Sequence, residues 1–326
     1  MTWYWEHRGE HRYKMNKIYG YIGYSKQAFH QRMGRKLRDH EQELLLLPII
    51  TELRQEHPGV AARQLYEMLQ PEKIGRDKFE RLCFEHGFKL QRSKSYRRTT
   101  DSRGVIRFPN LIAAVEFTGI NQAWSSDITY YQIDSTFYYI TFIIDLFSRK
   151  IVGFTVSQKL LTEQTTIPAL SMALHNRKPP AGLIFHSDGG GQYYCNAFLK
   201  LTRAYKIKNS MCDVVYENAH AERVNGTIKN QYLRGYNPQN YSSLVKMTEK
   251  AVNNYNRIRP HQSLKKLSPE AFEKKLPAGG SSLSNDDFCN FCNGSKLDQK
   301  NHHLPPRLNL TIKNEIKTLE KTVNVF

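Results

Sequence analysis

Three β-rich runs stand in succession in the middle of the chain: Trp124 to Ile133, Phe137 to Asp145 and Lys150 to Val156. Only Asp134-Ser135 and Phe147-Ser-Arg separate them, and a parallel crossover needs far more chain, so an antiparallel meander is predicted. After it the pattern alternates. A helix is expected at about Thr162 to Asn176, then a short apolar strand, Gly182 to Ser187, running into Asp188-Gly-Gly-Gly-Gln. A helix at roughly Cys195 to Tyr205, a strand near Ile207 to Met211, and helices at about Asn218 to Leu233 and Leu244 to Asn256 follow. The implied unit, residues 121–275, is an α/β sheet whose meander is extended by parallel strands, with helices on both faces.

The segments on either side read differently. Residues 1–43 form a basic helical segment, in which Ser25 is a good N-cap for the run that follows. Glu41 to Gln55 carries a leucine and isoleucine stripe interrupted by Pro48, so that helix is expected to kink there or to start near it. Residues 44–88 end in two short helical runs, Val60 to Leu69 and Gly75 to Gly87, joined by what looks like a tight turn. The second bears Arg76, Lys78 and Arg81, which fits a helix-turn-helix DNA reader. Residues 89–120 read as a basic linker whose Arg97 and Arg98 suit phosphates. From 276 to 326 the composition turns to Pro, Gly, Ser and Asn, a flexible tail.

Charge narrows the partners. The chain carries a formal net charge of +18, split as +9 over residues 1–110, +8 over 111–275 and +1 over 276–326. Both expected folded regions are therefore basic, which points to a polyanion, nucleic acid first. No run of eighteen apolar residues and no secretion pattern is present, so no membrane partner is expected. Five scattered cysteines argue for a reducing compartment, a cytoplasmic protein associated with the nucleoid when bound to DNA.

Two carboxylates stand out by context. Asp127 lies inside a β-rich run, and Asp188 ends an apolar strand just before three glycines. An unpaired acid in either place is costly and asks for a donor, a basic partner or a metal. Glu222 is the third candidate, on a helix that repeats polar groups at Asn218, Asn225 and Lys229. Taken singly, each has a plain structural role open to it: a satisfied strand acid, a turn-former, a surface helix residue. Together, three acids from separate elements meet the requirement for two divalent ions in phosphoryl transfer.

The layout is that of a ribonuclease-H-like fold, and five ordered blocks sharpen it. Asp127-Ile-Thr-Tyr after a Trp, Ile144-Asp-Leu-Phe-Ser-Arg-Lys-Ile-Val-Gly, His186-Ser-Asp-Gly-Gly-Gly-Gln-Tyr, Glu217-Asn-Ala-His-Ala-Glu-Arg-Val-Asn-Gly and Tyr255-Asn-Arg-Ile-Arg-Pro-His-Gln-Ser-Leu come in series. From about residue 45 to 275 the chain resembles the DDE transposases of bacterial insertion sequences, which have a retroviral-integrase-type catalytic core. The resemblance implies that Asp127, Asp188 and Glu222 are the catalytic triad, binding two Mg²⁺ or Mn²⁺ ions, and that Lys229 contacts the terminal donor DNA. It implies DNA cleavage at the element's ends followed by strand transfer into target DNA, by a homo-oligomer assembled on DNA. Because such proteins are often made as fusions across two frames, the product of an upstream reading frame joins the expected partners. The chain departs from the family pattern in three places. The stretch between Asp188 and Glu222 is shorter than usual, Glu217 stands where Asp is commoner, and Gly189 where Arg is often found.

Around this set lie further expected DNA contacts: Asn225, Arg223, His186, Gln192, Arg257 and Arg259, with packing or loop-pinning the competing role for His186, Gln192 and the two arginines. Glu217 is the rival third ligand. Asp145 is read as fixing a strand end rather than binding metal, and Trp124 as core. Cys289 and Cys292, with His302-His303, make a poor zinc set because adjacent histidines do not complete a tetrahedron. Two other function classes remain: a catalytically decayed DNA-binding protein of the same fold, and a nuclease that cleaves but never joins.

Overall fold

The computed structural model describes residues 7, 9–10, 12, 14–90, 108–113, 115–212 and 218–276. Its centre is one sheet built from β1 (Ala123–Ile133), β2 (Thr136–Asp145), β3 (Ile151–Ser157), β4 (Ile184–Ser187) and β5 (Lys208–Met211). The strand order is β3-β2-β1-β4-β5. β1, β2 and β3 pair antiparallel, while β4 and β5 extend β1 in parallel. The expected ribonuclease-H-like arrangement is therefore the one formed.

Strand periodicity explains how the sheet is covered on both faces. Trp124, Ile143 and Val152 face α5 (Thr166–Arg177) and α6 (Asn196–Ala204), packing with Ala169, Leu170, Phe185 and Phe198. Ile140, Phe142 and Ile144 face the other way, toward α7 (Ala219–Thr227) and α8 (Tyr241–Arg257), with Val224, Leu244 and Tyr255. α7 does not stop at Thr227 but runs into a π-helical stretch, Ile228–Leu233, and a last turn, Arg234–Tyr236. α8 is started by a reciprocal cap: Asn240 accepts from the Ser243 N–H and the Ser243 hydroxyl accepts from the Asn240 N–H. A short α9, Pro269–Lys274, capped by Ser268, closes the described chain and had no sequence expectation.

The front end holds α1 (Met15–Ile22), α2 (Lys26–Glu56), α3 (Ala62–Leu69) and α4 (Arg76–Glu85). Ser25 caps α2 as expected, its hydroxyl accepting from the Ala28 N–H. Of the two readings of Pro48, a kink or a helix start, the structure removes the helix start. α2 is assigned as one 31-residue helix with Pro48 inside it, so no helix starts at Pro48 and no break marks the 43/44 boundary. A proline removes one helix donor; here Ile50 and Leu53, buried just beyond it, anchor that end of α2. The turn between α3 and α4 is also longer than expected, spanning residues 70–75.

The front end is no separate body. Ile50, Leu53, Val60, Leu65 and Phe79 share one apolar core with Phe142, Val224, Tyr232 and Leu244 of the sheet region. Ile112 and Phe117, in the stretch expected to be linker, pack against that core as well. Among the described residues no helix is long and apolar enough to cross a membrane. Arg97, Arg98, Glu217, Cys289, Cys292, His302 and His303 lie outside the described residues.

Candidate active site

Asp127 sits in the middle of β1, opposite Phe142 of β2. Period-two alternation puts it on the α7 face with Ser125 and Thr129, and each of the three reaches a polar group of that helix or its continuation. The Ser125 hydroxyl donates to the Asn218 side-chain carbonyl, whose amide in turn donates to the Ser126 carbonyl at 3.0 Å. Asn225 donates to Asp127 Oδ2 at 2.7 Å. Lys229 donates to Thr129 Oγ1 at 3.1 Å and lies 4.7 Å above the Tyr130 ring. α7 is thus fastened to β1 at three successive inward positions, with Asp127 at the middle one.

Asp188 follows directly on β4, the parallel neighbour of β1. The Gly190 N–H donates to Asp188 Oδ1 at 3.2 Å. A Cβ on Gly190 would stand 3.0 Å from that oxygen and 3.2 Å from Gln192 Oε1, so any larger residue there would press on the carboxylate. Beneath the site, fully buried Tyr193 shares a 3.0 Å hydrogen bond with Ser126. Glu222, exposed on the first turn of α7, completes the group.

Electrostatics binds the three acids together. Burial, then the negative charges of Asp188 and Glu222, push the Asp127 carboxyl from its ordinary 3.8 up to about 7. Burial and Glu222 also raise Asp188. Such crowding of acids is unfavourable without a cation, and the donors are hard oxygens of the kind divalent ions take. Asn225 Oδ1 adds a buried acceptor that has no partner among the described residues. Among the described residues no three His, Cys, Asp or Glu are close enough to hold one ion in common. The carboxylates of Asp127, Asp188 and Glu222 and the Asn225 carbonyl are the hard oxygens that would suit a divalent ion there.

The other expected contacts divide. Asn225 and Lys229 are drawn into the site, and Arg223 is exposed beside Glu222. Gln192 lines the Asp188 turn and donates to the Leu160 carbonyl at 3.5 Å. His186 is corrected: it is fully buried with Nδ1 2.9 Å from Ser210 Oγ, so it packs the sheet and does not face DNA. Asp145 is fully buried, accepting from the N–H groups of Asn121, Phe147 and Ser148, with Arg177 at 3.7 Å, a strand-end anchor as expected. Arg257 is 3.3 Å from Glu270, and Arg259 donates to Gln231 while facing the Tyr255 ring. In the front end, Arg76 pairs with Asp77 and Glu80, Lys78 reaches Asp39 and Glu43 of α2, and Arg81 is exposed. The supports missed from sequence were Ser125, Ser126, Thr129 and Tyr193. Stepping two residues either way from Asp127 would have found Ser125 and Thr129.

Residues 118–216 match the integrase core domain family, and residues 204–269 match a second integrase core domain model. The chain is 33% identical over 207 residues to the uncharacterized 31 kDa protein of insertion element IS600 from Shigella sonnei, covering 62% of this chain and 76% of that protein. The chain belongs to the DDE transposases of bacterial insertion sequences. It is also 35% identical over 164 residues to transposase InsF of insertion sequence IS3A from Escherichia coli K12, which covers 48% of this chain and 56% of InsF. It thus spans just over half the length of that relative. Among solved structures, the catalytic core domain of HTLV-2 integrase, in complex with magnesium, overlaps 48% of this chain and 99% of its own, at 22% identity and a TM-score of 0.42. The family assignment rests on the sequence matches. As a transposase with an integrase core, the chain is an enzyme that acts on DNA.

Proposed function

We propose that this transposase hydrolyses a phosphodiester at each end of its element and joins the freed 3′-hydroxyl to target DNA by in-line displacement, with no covalent enzyme intermediate. The observation that carries this reading is the convergence of Asp127, Asp188 and Glu222, from β1, the end of β4 and α7, into one mutually repelling group. These three are the proposed ligands of two Mg²⁺ or Mn²⁺ ions, which when bound activate the attacking oxygen and stabilise the leaving one. Asn225 fixes the orientation of Asp127 through its 2.7 Å hydrogen bond. Lys229, parked on Thr129 and Tyr130, is a cation within reach of a DNA phosphate. The exposed Arg223, together with Arg81 of α4, supplies further phosphate contacts, and Gln192 can meet the strand at the Asp188 turn. Two ends joined in one event call for at least two copies on the DNA.

A strand-transfer assay on element-end DNA with Mg²⁺ tests this. Wild type should yield joined products and Asp188→Asn none, while both bind the DNA. Equal inertness of the two, with DNA binding intact, would leave a decayed DNA-binding protein. Cleavage without joined product would leave a nuclease.

A further inference from the structure

Away from the carboxylates, a cavity of about 480 Å³ opens between the stretch that leads into β1, the turn after β2 and the start of α7. Volumes of this order are those of sites for small organic ligands. Its apolar side includes Leu264 and three phenylalanines, Phe117, Phe147 and Phe272, the Phe147 and Phe272 rings tilted with centroids 5.5 Å apart. Its polar lining comprises Asn110, Glu116, Arg149, His220 and Ser263, so a cation and a carboxylate both face it. Arg149 Nη1 and Asn110 Nδ2 are buried donors with no hydrogen-bond partner among the described residues. Unsatisfied buried donors are rare in folded proteins, and a guanidinium is among the costliest to leave so.

The backbone at Arg149 supplies a means of testing the side chain's role. Arg149 has φ of +62°, the left-handed region where a side chain is disfavoured and glycine is the usual occupant. The turn between β2 and β3 thus carries a side chain at a position where glycine would be less strained.

We propose that this cavity binds one nucleotide unit, its base among the phenylalanines and its phosphate on Arg149 with His220 and Asn110 beside it. Aromatic walls suit the flat face of any base, and a guanidinium suits a phosphate. The site deepens the transposase reading and rests on it for one point only, that the nucleotide belongs to a DNA strand. His220 stands two residues before Glu222 on α7, so a nucleotide held here lies along the same helix as the reacting end.

Titration calorimetry on the full chain with 5′-dAMP, inorganic phosphate and deoxyadenosine tests it directly. Wild type should bind 5′-dAMP at least tenfold more tightly than phosphate or the nucleoside, since each of those makes half of the contacts. Arg149→Gly should lose about tenfold in 5′-dAMP affinity, the scale of one charge-assisted hydrogen bond, while melting at the same temperature or higher because the left-handed strain is relieved. Asp188→Asn should bind like wild type. Equal 5′-dAMP affinity in wild type and Arg149→Gly overturns the proposal, as does phosphate binding as tightly as the nucleotide. A fall in the melting temperature of Arg149→Gly with unchanged affinity would make the residue structural and overturn it too. Displacement of 5′-dAMP by a single-stranded oligonucleotide identifies the source as a DNA strand; without displacement the ligand is the free nucleotide. Strand transfer measured alongside keeps the two readings apart. Wild type that binds 5′-dAMP but never joins DNA overturns the proposed function and leaves the cavity assignment standing.

Discussion

At the scale of single residues, Asp127 is where function and stability pull against each other. Its carboxyl is raised to about 7, so the folded chain prefers it protonated. An acid raised in this way costs nothing below its unfolded pKa near 3.8 and its full penalty above about 7. The complete shift corresponds to roughly 4 kcal/mol, and because the side chain is partly exposed about 2 kcal/mol is the more realistic figure. Asp127→Asn removes the charge and keeps the shape. At pH 8 in EDTA it should melt above wild type by the equivalent of about 2 kcal/mol, and it should lose strand transfer. Added Mg²⁺ should raise the melting temperature of wild type and leave the variant unmoved, since a ligand that binds only the folded state stabilises it. A variant less stable than wild type in EDTA, or a wild type indifferent to Mg²⁺, would refute this account. Asp127 and Asp188 stood out in the sequence because an acid inside a strand and an acid before three glycines are both anomalies, whereas Glu222, on a helix with repeated polar groups, was joined to them as a triad only through the family resemblance. For His186 the sequence left DNA contact and packing both open, because its place next to Asp188 does not tell which way the side chain turns; in the structure it is buried against Ser210.

At the scale of elements, the junction between the end of α2 and the π-helical stretch after α7 fixes how the two halves of the chain meet. The Gly59 N–H donates to the Gln231 carbonyl at 2.8 Å, Tyr236 donates to the Glu56 carbonyl, and the Asn254 amide reaches the same carbonyl at 3.0 Å. Arg54 holds the loop from the other side, donating to the carbonyls of Pro58, Val60 and Phe88. The approach at Gly59 is so close that a Cβ there would stand 2.5 Å from Gln231 Cα, a backbone atom that cannot rotate away. Gly59→Ala should therefore destabilise the chain by about 3 kcal/mol, the upper range for overpacking a tight site, read from the midpoint of urea unfolding. A loss below about 0.5 kcal/mol, the size of an ordinary surface change, would show that the junction yields. None of this was readable beforehand. β1, β2 and β3 could be read because β-branched and aromatic residues cluster between short turns, and those are local signals. The docking of His57-Pro58-Gly59 on residues 231–236 joins segments more than 170 positions apart, and nothing local marks it. α9 escaped for a different reason, since six residues do not establish a helical period.

At the scale of the whole molecule, one apolar core runs from Ile50 and Phe79 through the sheet to Leu244, so the helical front end and the catalytic region should lose structure together. Buried histidines give a way to test that. His57, fully buried against the Tyr232 hydroxyl at 3.2 Å, is pushed by burial from 6.5 down to about 4. His261, beside Arg259 on the catalytic side, is pushed by burial and then by that arginine down to about 3. An imidazole lowered in this way is held neutral by the fold, while the unfolded chain takes up its proton near pH 6.5. Its contribution is therefore complete above about pH 6.5 and is lost as the pH falls toward 4, by roughly 3 kcal/mol for His57. Acidification from pH 7 to 4 should then weaken the fold, and His57→Phe, which keeps an aromatic ring without the titrating nitrogen, should flatten the dependence. Hydrogen exchange distinguishes a joint transition from two separate ones. If the core is continuous, the amides of α3 and α4 should lose protection at the same pH as those of β1 and β2. Loss of the front-end protection a full pH unit before that of the sheet would mean that the two halves are separate folding units in contact, in spite of the shared core.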